Sequence, residues 1–255
     1  MSSVNEPGRA RPAVLVIAAT DSSGGAGITR DLQVLADLSV DALCVITAVT
    51  AQSDSRVTMV HHIPPEVIRA QVAAAFETRQ VGAIKIGMLG TRATVDAVAG
   101  SLPRSVSIPI VLDPVLVSSS GGVLLDAGGR DAMRKYLFPR AALITPNVPE
   151  VAALLDADIA TSASVLIEQA KSLLALGPQA VLVKGGHMSG DEAVDLLVCR
   201  SHGLQRLSAL RLRGTMRGTG CALASAIAAG VASGMSLFEA CGQAKRYVLE
   251  MLSRQ

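Results

Sequence analysis

The sequence predicts a doubly wound α/β fold, with a mainly parallel central sheet and helices on both of its faces. Three observations carry that prediction. A short continuous apolar run at residues 13–19 reads as a buried strand of a parallel sheet, and further strands are read at residues 83–88, 108–112, 142–145 and 180–184. Stretches with helical spacing lie between them, so that strand and helix alternate. Polar and glycine residues cluster where the apolar runs end: Thr20-Asp21, Gln52, Gly87-Met88, Asp113, Asn147, Glu150 and Lys184. In this architecture ligands bind outside the carboxyl ends of the strands.

Each element has its own signal. After the first strand, residues 20–27 form a loop of small residues, and residues 28–38 carry Ile28, Leu32, Leu35 and Leu38 at helical spacing. Asp31 is expected on the other side of that helix, in its first turn. Residues 42–48 read as one strand that ends in Val49-Thr50-Ala51-Gln52, and residues 57–63 alternate as a half-exposed strand. Pro64-Pro65-Glu66 opens a helix to about residue 78, and Thr91 opens another to about 99. Helices are expected at 126–137, from the Pro146–Glu150 turn to about 155, and from an N-cap at Ser162 to 176. Residues 193–199 and 204–212 read as a pair of strands, and helices at 221–233 and 237–252 close the chain.

Composition excludes several classes. The chain has 255 residues, 50% hydrophobic and 17% charged, which suits a globular protein with a large core. A net charge of +2 and few aromatics argue against nucleic acid as a partner. The apolar runs are too short for a membrane span, and residues 1–12 read as a disordered polar tail and not a signal peptide. Residues 13–255 read as one domain. Cys44, Cys199, Cys221 and Cys241 show neither zinc nor disulfide spacing, so a cytoplasmic home is expected.

The stretch Arg217-Gly218-Thr219-Gly220-Cys221-Ala222-Leu223 organises the rest. A glycine turn feeding an Ala-rich helix leaves backbone N–H groups unpaired at the positive end of the helix dipole, which is an anion site. Cys221 near that helix start is expected to ionise more easily than usual. The plainer reading is a small-residue turn before a buried helix, with Cys221 as a small apolar side chain.

Seven stretches in order resemble one family. They are Ile17 to Ile28, Val45-Ile-Thr-Ala48 with Ala51-Gln52, Lys85-Ile-Gly-Met-Leu89, Leu112-Asp-Pro-Val115, Ile144 to Glu150, Val183-Lys-Gly-Gly-His187 and Gly218-Thr-Gly-Cys221. Together they are similar to the hydroxymethylpyrimidine/phosphomethylpyrimidine kinases of thiamine biosynthesis, within the ribokinase-like superfamily. The resemblance implies a homodimer that transfers phosphoryl groups from ATP, with Mg2+, to an aminopyrimidine alcohol and then to its monophosphate.

It implies site residues as well. Gly218, Thr219, Gly220 and Cys221 would hold the transferred group, with Cys221 either taking or orienting the hydroxyl proton. Lys184, Gly185, Asn147 and Arg217 would meet ATP, and Glu150 with Asp113 would hold the metal. Ala19, Asp31, Gln52, Met88 and Val115 would meet the pyrimidine. Each has a plainer reading beside it: a strand-end lysine, a helix-start glutamate, a solvated aspartate, a buried methionine. His187 is expected to touch backbone or solvent. The sequence departs from the family at Ala19, Ser53 and Arg217, and Arg217 would either favour a phosphorylated substrate or contact ATP. Two other readings stay open: a kinase for pyridoxal or pyridoxine, and a catalytically silent ligand-binding homologue.

Overall fold

The computed structural model describes residues 11–103, 108–118, 121–185, 192–212 and 216–254. Residues 1–10, most of the expected tail, and His187 lie outside the described residues. Among these residues the strands and α-helices run in the order β1 (Ala13–Ala18), α1 (Gly27–Asp37), β2 (Asp41–Ile46), β3 (Ala48–Gln52), β4 (Val57–His62), α2 (Pro65–Thr78), β5 (Ala83–Ile86) and α3 (Arg92–Ser101). Then come β6 (Ile110–Leu112), α4 (Ala127–Ala132), β7 (Leu143–Ile144), α5 (Val148–Leu155), α6 (Ala163–Ala175), β8 (Ala180–Val183), β9 (Glu192–Cys199), β10 (Gly203–Leu210), α7 (Thr219–Ala232) and α8 (Leu237–Ser253).

Eight strands form one sheet in the order β10-β9-β8-β7-β6-β5-β1-β2. The pairs from β2 to β8 are parallel, and β9 is antiparallel to both β8 and β10. The chain steps outward from β1 to β2 and then returns to place β5 on the other side of β1. That reversal opens a crevice between the ends of β1 and β5, the usual ligand position in an open α/β sheet.

Helices α2 to α6 cover one face, where Ile68, Val95, Phe138 and Leu166 are buried. Helices α1, α7 and α8 cover the other, with Val34, Leu35, Ile227 and Ala240. Residues 222–230 of α7 are all buried, because this helix packs on β1, β5, β6, α1 and α8 together. A helix enclosed on all sides needs small apolar residues all round, which its Ala-rich sequence supplies.

Three local expectations change. The run 42–52 is two strands and not one: Thr47 breaks it by donating its N–H to Ala18 O and its hydroxyl to Met88 O. The second piece, β3, leaves the main sheet and pairs with β4 as a separate antiparallel hairpin. The helix expected at 126–137 is α4 followed by a π-helical turn, Met133–Leu137. On α1 the stripe is rotated, so that Asp31 is buried while Leu32 is exposed.

Candidate active site

The anion turn is built by close packing. Gly218 has φ +77°, and a Cβ there would lie 2.1 Å from Gly25 O, so glycine is required on two counts. Gly218 caps α7 without a side-chain bond, and Ala222 N–H returns to Gly218 O. The N–H groups of Thr219, Gly220 and Cys221 then have no acceptor within the helix. A Cβ on Gly220 would lie 3.1 Å from Lys184 Nζ and 3.6 Å from Asp113 Oδ2. The start of α7 thus sits directly over a lysine and a carboxylate.

That lysine follows β8. Its backbone N–H bonds to Pro146 O, which places it beside Asn147. Lys184 Nζ donates to Asp113 Oδ1 at 2.7 Å and lies 3.9 Å from Glu150 Oε2. Asp113 Oδ1 also accepts from the Thr145 hydroxyl at 3.0 Å, leaving Oδ2 toward Gly220. Burial opposes charge on Lys184, but Asp113 and Glu150 outweigh it and raise its pKa. Burial, with Asp113 adding to it, pushes Glu150 up to about 7 against the pull of Lys184. Asn147 and Glu150 form a reciprocal capping box at the start of α5, each bonding the other's backbone N–H at 2.8 Å. The plainer reading of Glu150 as a helix-start acid therefore holds alongside its place beside Lys184. Gly185 N–H bonds to Asp195 Oδ1, and a Cβ on Gly185 would strike Val194 O.

Cys221 does not ionise easily. Cys221 is half-buried, and desolvation pushes its thiol up to about 11, despite Lys85 and a Gly27 N–H bond that favour the thiolate. The helix terminus alone suggested the opposite; desolvation decides it.

On the pyrimidine side the expected residues differ in burial. Gln52 stands at the end of β3, where the Ser22 hydroxyl bonds both its N–H and its C=O at 2.8 Å. Met88 is half-buried and lines a cleft of about 240 Å3 with Val60, His62 and Gly90. Val115 is half-buried two residues after Asp113. Ala19 is almost sealed, and its C=O holds the Ile28 N–H. Asp31 is not the solvated aspartate of the plainer reading. It is fully buried, accepting from Lys85 Nζ at 2.7 Å and from the Ser225 hydroxyl at 2.8 Å.

Arg217 immediately precedes the anion turn. Its guanidinium pairs with Asp21 and Asp54, both at 3.1 Å, and bonds Ser23 and Ser53. The residues that sequence reading passed over are Lys85, Ser225, Asp54 and Asp195. Lys85 had left a signal: a charge inside the apolar strand Ala83-Ile-Lys-Ile requires a buried partner.

Fold and site together define an α/β kinase-type domain of ribokinase-like architecture, with a helix-start anion turn above a lysine and paired carboxylates. The phosphomethylpyrimidine kinase family model matches residues 21–255, and the chain belongs to that family. It is 43% identical over 241 residues to the hydroxymethylpyrimidine/phosphomethylpyrimidine kinase of Escherichia coli, covering 94% of this chain and 90% of that one. The phosphomethylpyrimidine kinase structure from Clostridium difficile superposes with a TM-score of 0.83 at 34% identity, over 95% of this chain and 100% of that one. The pyridoxal kinase of Staphylococcus aureus with AMP-PCP and pyridoxal gives 0.85 at 30% identity, over 94% and 87%. Among the described residues, no helix is long and apolar enough to cross a membrane.

Proposed function

We propose that the chain transfers the terminal phosphoryl group of ATP to 4-amino-5-hydroxymethyl-2-methylpyrimidine and to its monophosphate, the paired reactions named for its relatives. One observation carries the reading of the site: Gly220 lies over Lys184 and Asp113 at the start of α7. Phosphoryl transfer asks mainly for positioning and charge neutralisation. The N–H groups at the start of α7 hold the oxygens of the transferred group. Lys184 trades part of its contact with Asp113 for phosphate as a compact point charge. Asn147 and Gly185 flank it on the ATP side. Cys221, neutral near pH 7, orients the acceptor hydroxyl and is not a ready base. Gln52, Met88 and Val115 wall the pyrimidine, with Gln52 matching its donor and acceptor edge.

Mg2+ fits this donor set. It favours one or two carboxylates with phosphate oxygens and water. Asp113 and Glu150, both beside Lys184, are such a pair, and Asp113 Oδ2 is turned to the turn. Phosphate oxygens and water would complete the set. When bound, the ion would neutralise phosphate charge. We also read the protein as a cytoplasmic homodimer; the free thiols suit a reducing compartment.

The test is ATP consumption with the pyrimidine alcohol, its monophosphate and pyridoxal side by side, with Cys221→Ala as control. Turnover of either pyrimidine supports the reading. Turnover of pyridoxal alone would transfer the protein to the activity of its other structural neighbours. Binding of ATP without turnover of any would make it a silent homologue.

A further inference from the structure

We propose that Arg217 is a positioning residue, a clamp that fastens the tip of the β3–β4 hairpin to the glycine loop and so holds Gln52 at the site. The proposal rests on the pyrimidine-kinase reading only for the identity of the ligand that Gln52 meets.

The hairpin shares no ladder with the eight-stranded sheet, so side chains must hold its tip. Part of that work falls to Ser22, bonded to Gln52, and to the Thr50 hydroxyl, bonded to Thr20 O at 2.9 Å. Arg217 completes it. Nη1 donates to Ser23 Oγ at 3.0 Å, Ser53 O at 2.9 Å and Asp54 Oδ1 at 3.1 Å, while Nη2 donates to Asp21 Oδ2 at 3.1 Å. A planar guanidinium with several fixed donors suits such a junction, and a lysine point charge would satisfy only part of it. Asp21 is buried and oriented by two bonds from Ser23, so the glycine-loop end of the clamp is rigid. Asp54 is 91% exposed, so the hairpin end is the one that can release. Two carboxylates meet one cation, which leaves no net positive charge there for a phosphate. Arg217 also adjoins Gly218, whose backbone packs on Gly25, so hairpin tip, glycine loop and anion turn are tied at one residue.

The experiment compares the full-length protein with Asp54→Asn, Arg217→Met, Arg217→Lys and the Asp54→Asn/Arg217→Met pair. Hydrogen exchange without ligand reads the clamp itself. The N–H groups of Gln52 and Ser53, bonded to Ser22 and Arg56 O, exchange faster by about three-fold in Asp54→Asn and about ten-fold in Arg217→Met. Arg217→Lys restores part of the protection, and the pair is no worse than Arg217→Met, because the Asp54 contact is already lost once Arg217 is replaced. In steady-state assays the KM for the pyrimidine rises by similar factors, with kcat and the KM for ATP within about two-fold. Unchanged exchange in both single variants overturns the clamp. So does an Arg217→Met effect confined to the KM for ATP, or a KM for the monophosphate that rises in Arg217→Met and falls in Asp54→Asn. Either result makes Arg217 an anion ligand. If the wild-type protein turns over no pyrimidine, the functional reading fails while the exchange data still decide the clamp.

Discussion

Lys85 and Lys184 sit near the carboxyl ends of two strands of one sheet, and each donates to an aspartate at 2.7 Å. Their surroundings differ. The Lys85–Asp31 pair is fully sealed, whereas the Lys184 side chain keeps 15% of its surface exposed. Lys85 lies inside β5, and a Cβ on Gly87 would be 2.9 Å from its Nζ. Lys184 lies one residue past β8, under the opening of the anion turn. Lys85 lies one residue before the end of its strand and Lys184 one residue past the end of its own, and that offset separates a charge that serves the interior from a charge that can meet a ligand. A buried ion pair is weak evidence for stability, but breaking one side of it is costly.

Lys85→Met should give the largest effect on stability, a loss of about 3–5 kcal/mol, because Asp31 is left buried without its cation. Urea unfolding measures it, and adding Asp31→Asn should recover most of the loss. A loss below about 1 kcal/mol with abolished turnover would place Lys85 in the site and erase the contrast.

Lys184→Met should lower kcat by about 10²–10³-fold, the scale for removing one preorganised donor to a developing charge. Its unfolding midpoint should move less than that of Lys85→Met. The reverse ranking would mean that Lys184 is the structural lysine.

Cys221 lies between the two, influenced by Lys85 and close behind Gly220. Since its thiol is held up to about 11, the thiolate fraction should grow about ten-fold per pH unit below that value. Iodoacetamide labelling of Cys221 should therefore still be rising at pH 9. A plateau near pH 7 would make the residue a thiolate and a candidate base. The smallest effect belongs to Asn147→Ala, which removes the N-cap of α5 and should cost about 1 kcal/mol in thermal unfolding.

The ends of the apolar runs were readable because a parallel sheet collects them on one edge. Asp113, Asn147, Glu150 and Lys184 lie together there, with Gly220 at the start of α7 over them. Gln52 also lies near a strand end, but through a hairpin that departs from the sheet at Thr47. The break was illegible because residues 42–52 are a continuous strand-like run, and it is the bonds of Thr47 to Ala18 and Met88 that divide them. The direction of Asp31 was misread for a related reason. Helical spacing marked Leu32 as inward, whereas Lys85 and Ser225 draw Asp31 inward.

The sequence by itself determined the alternation of strand and helix, the glycine turn before an Ala-rich helix, and the family. These are local patterns, set by side-chain period and by the backbone freedom of glycine. Only the tertiary structure decided which charges are partnered and how Cys221 titrates. Asp21 and Asp54 lie 196 and 163 residues from Arg217, and Asp31 lies 54 from Lys85. Ion pairing and desolvation depend on distance in space, and no local spacing encodes it.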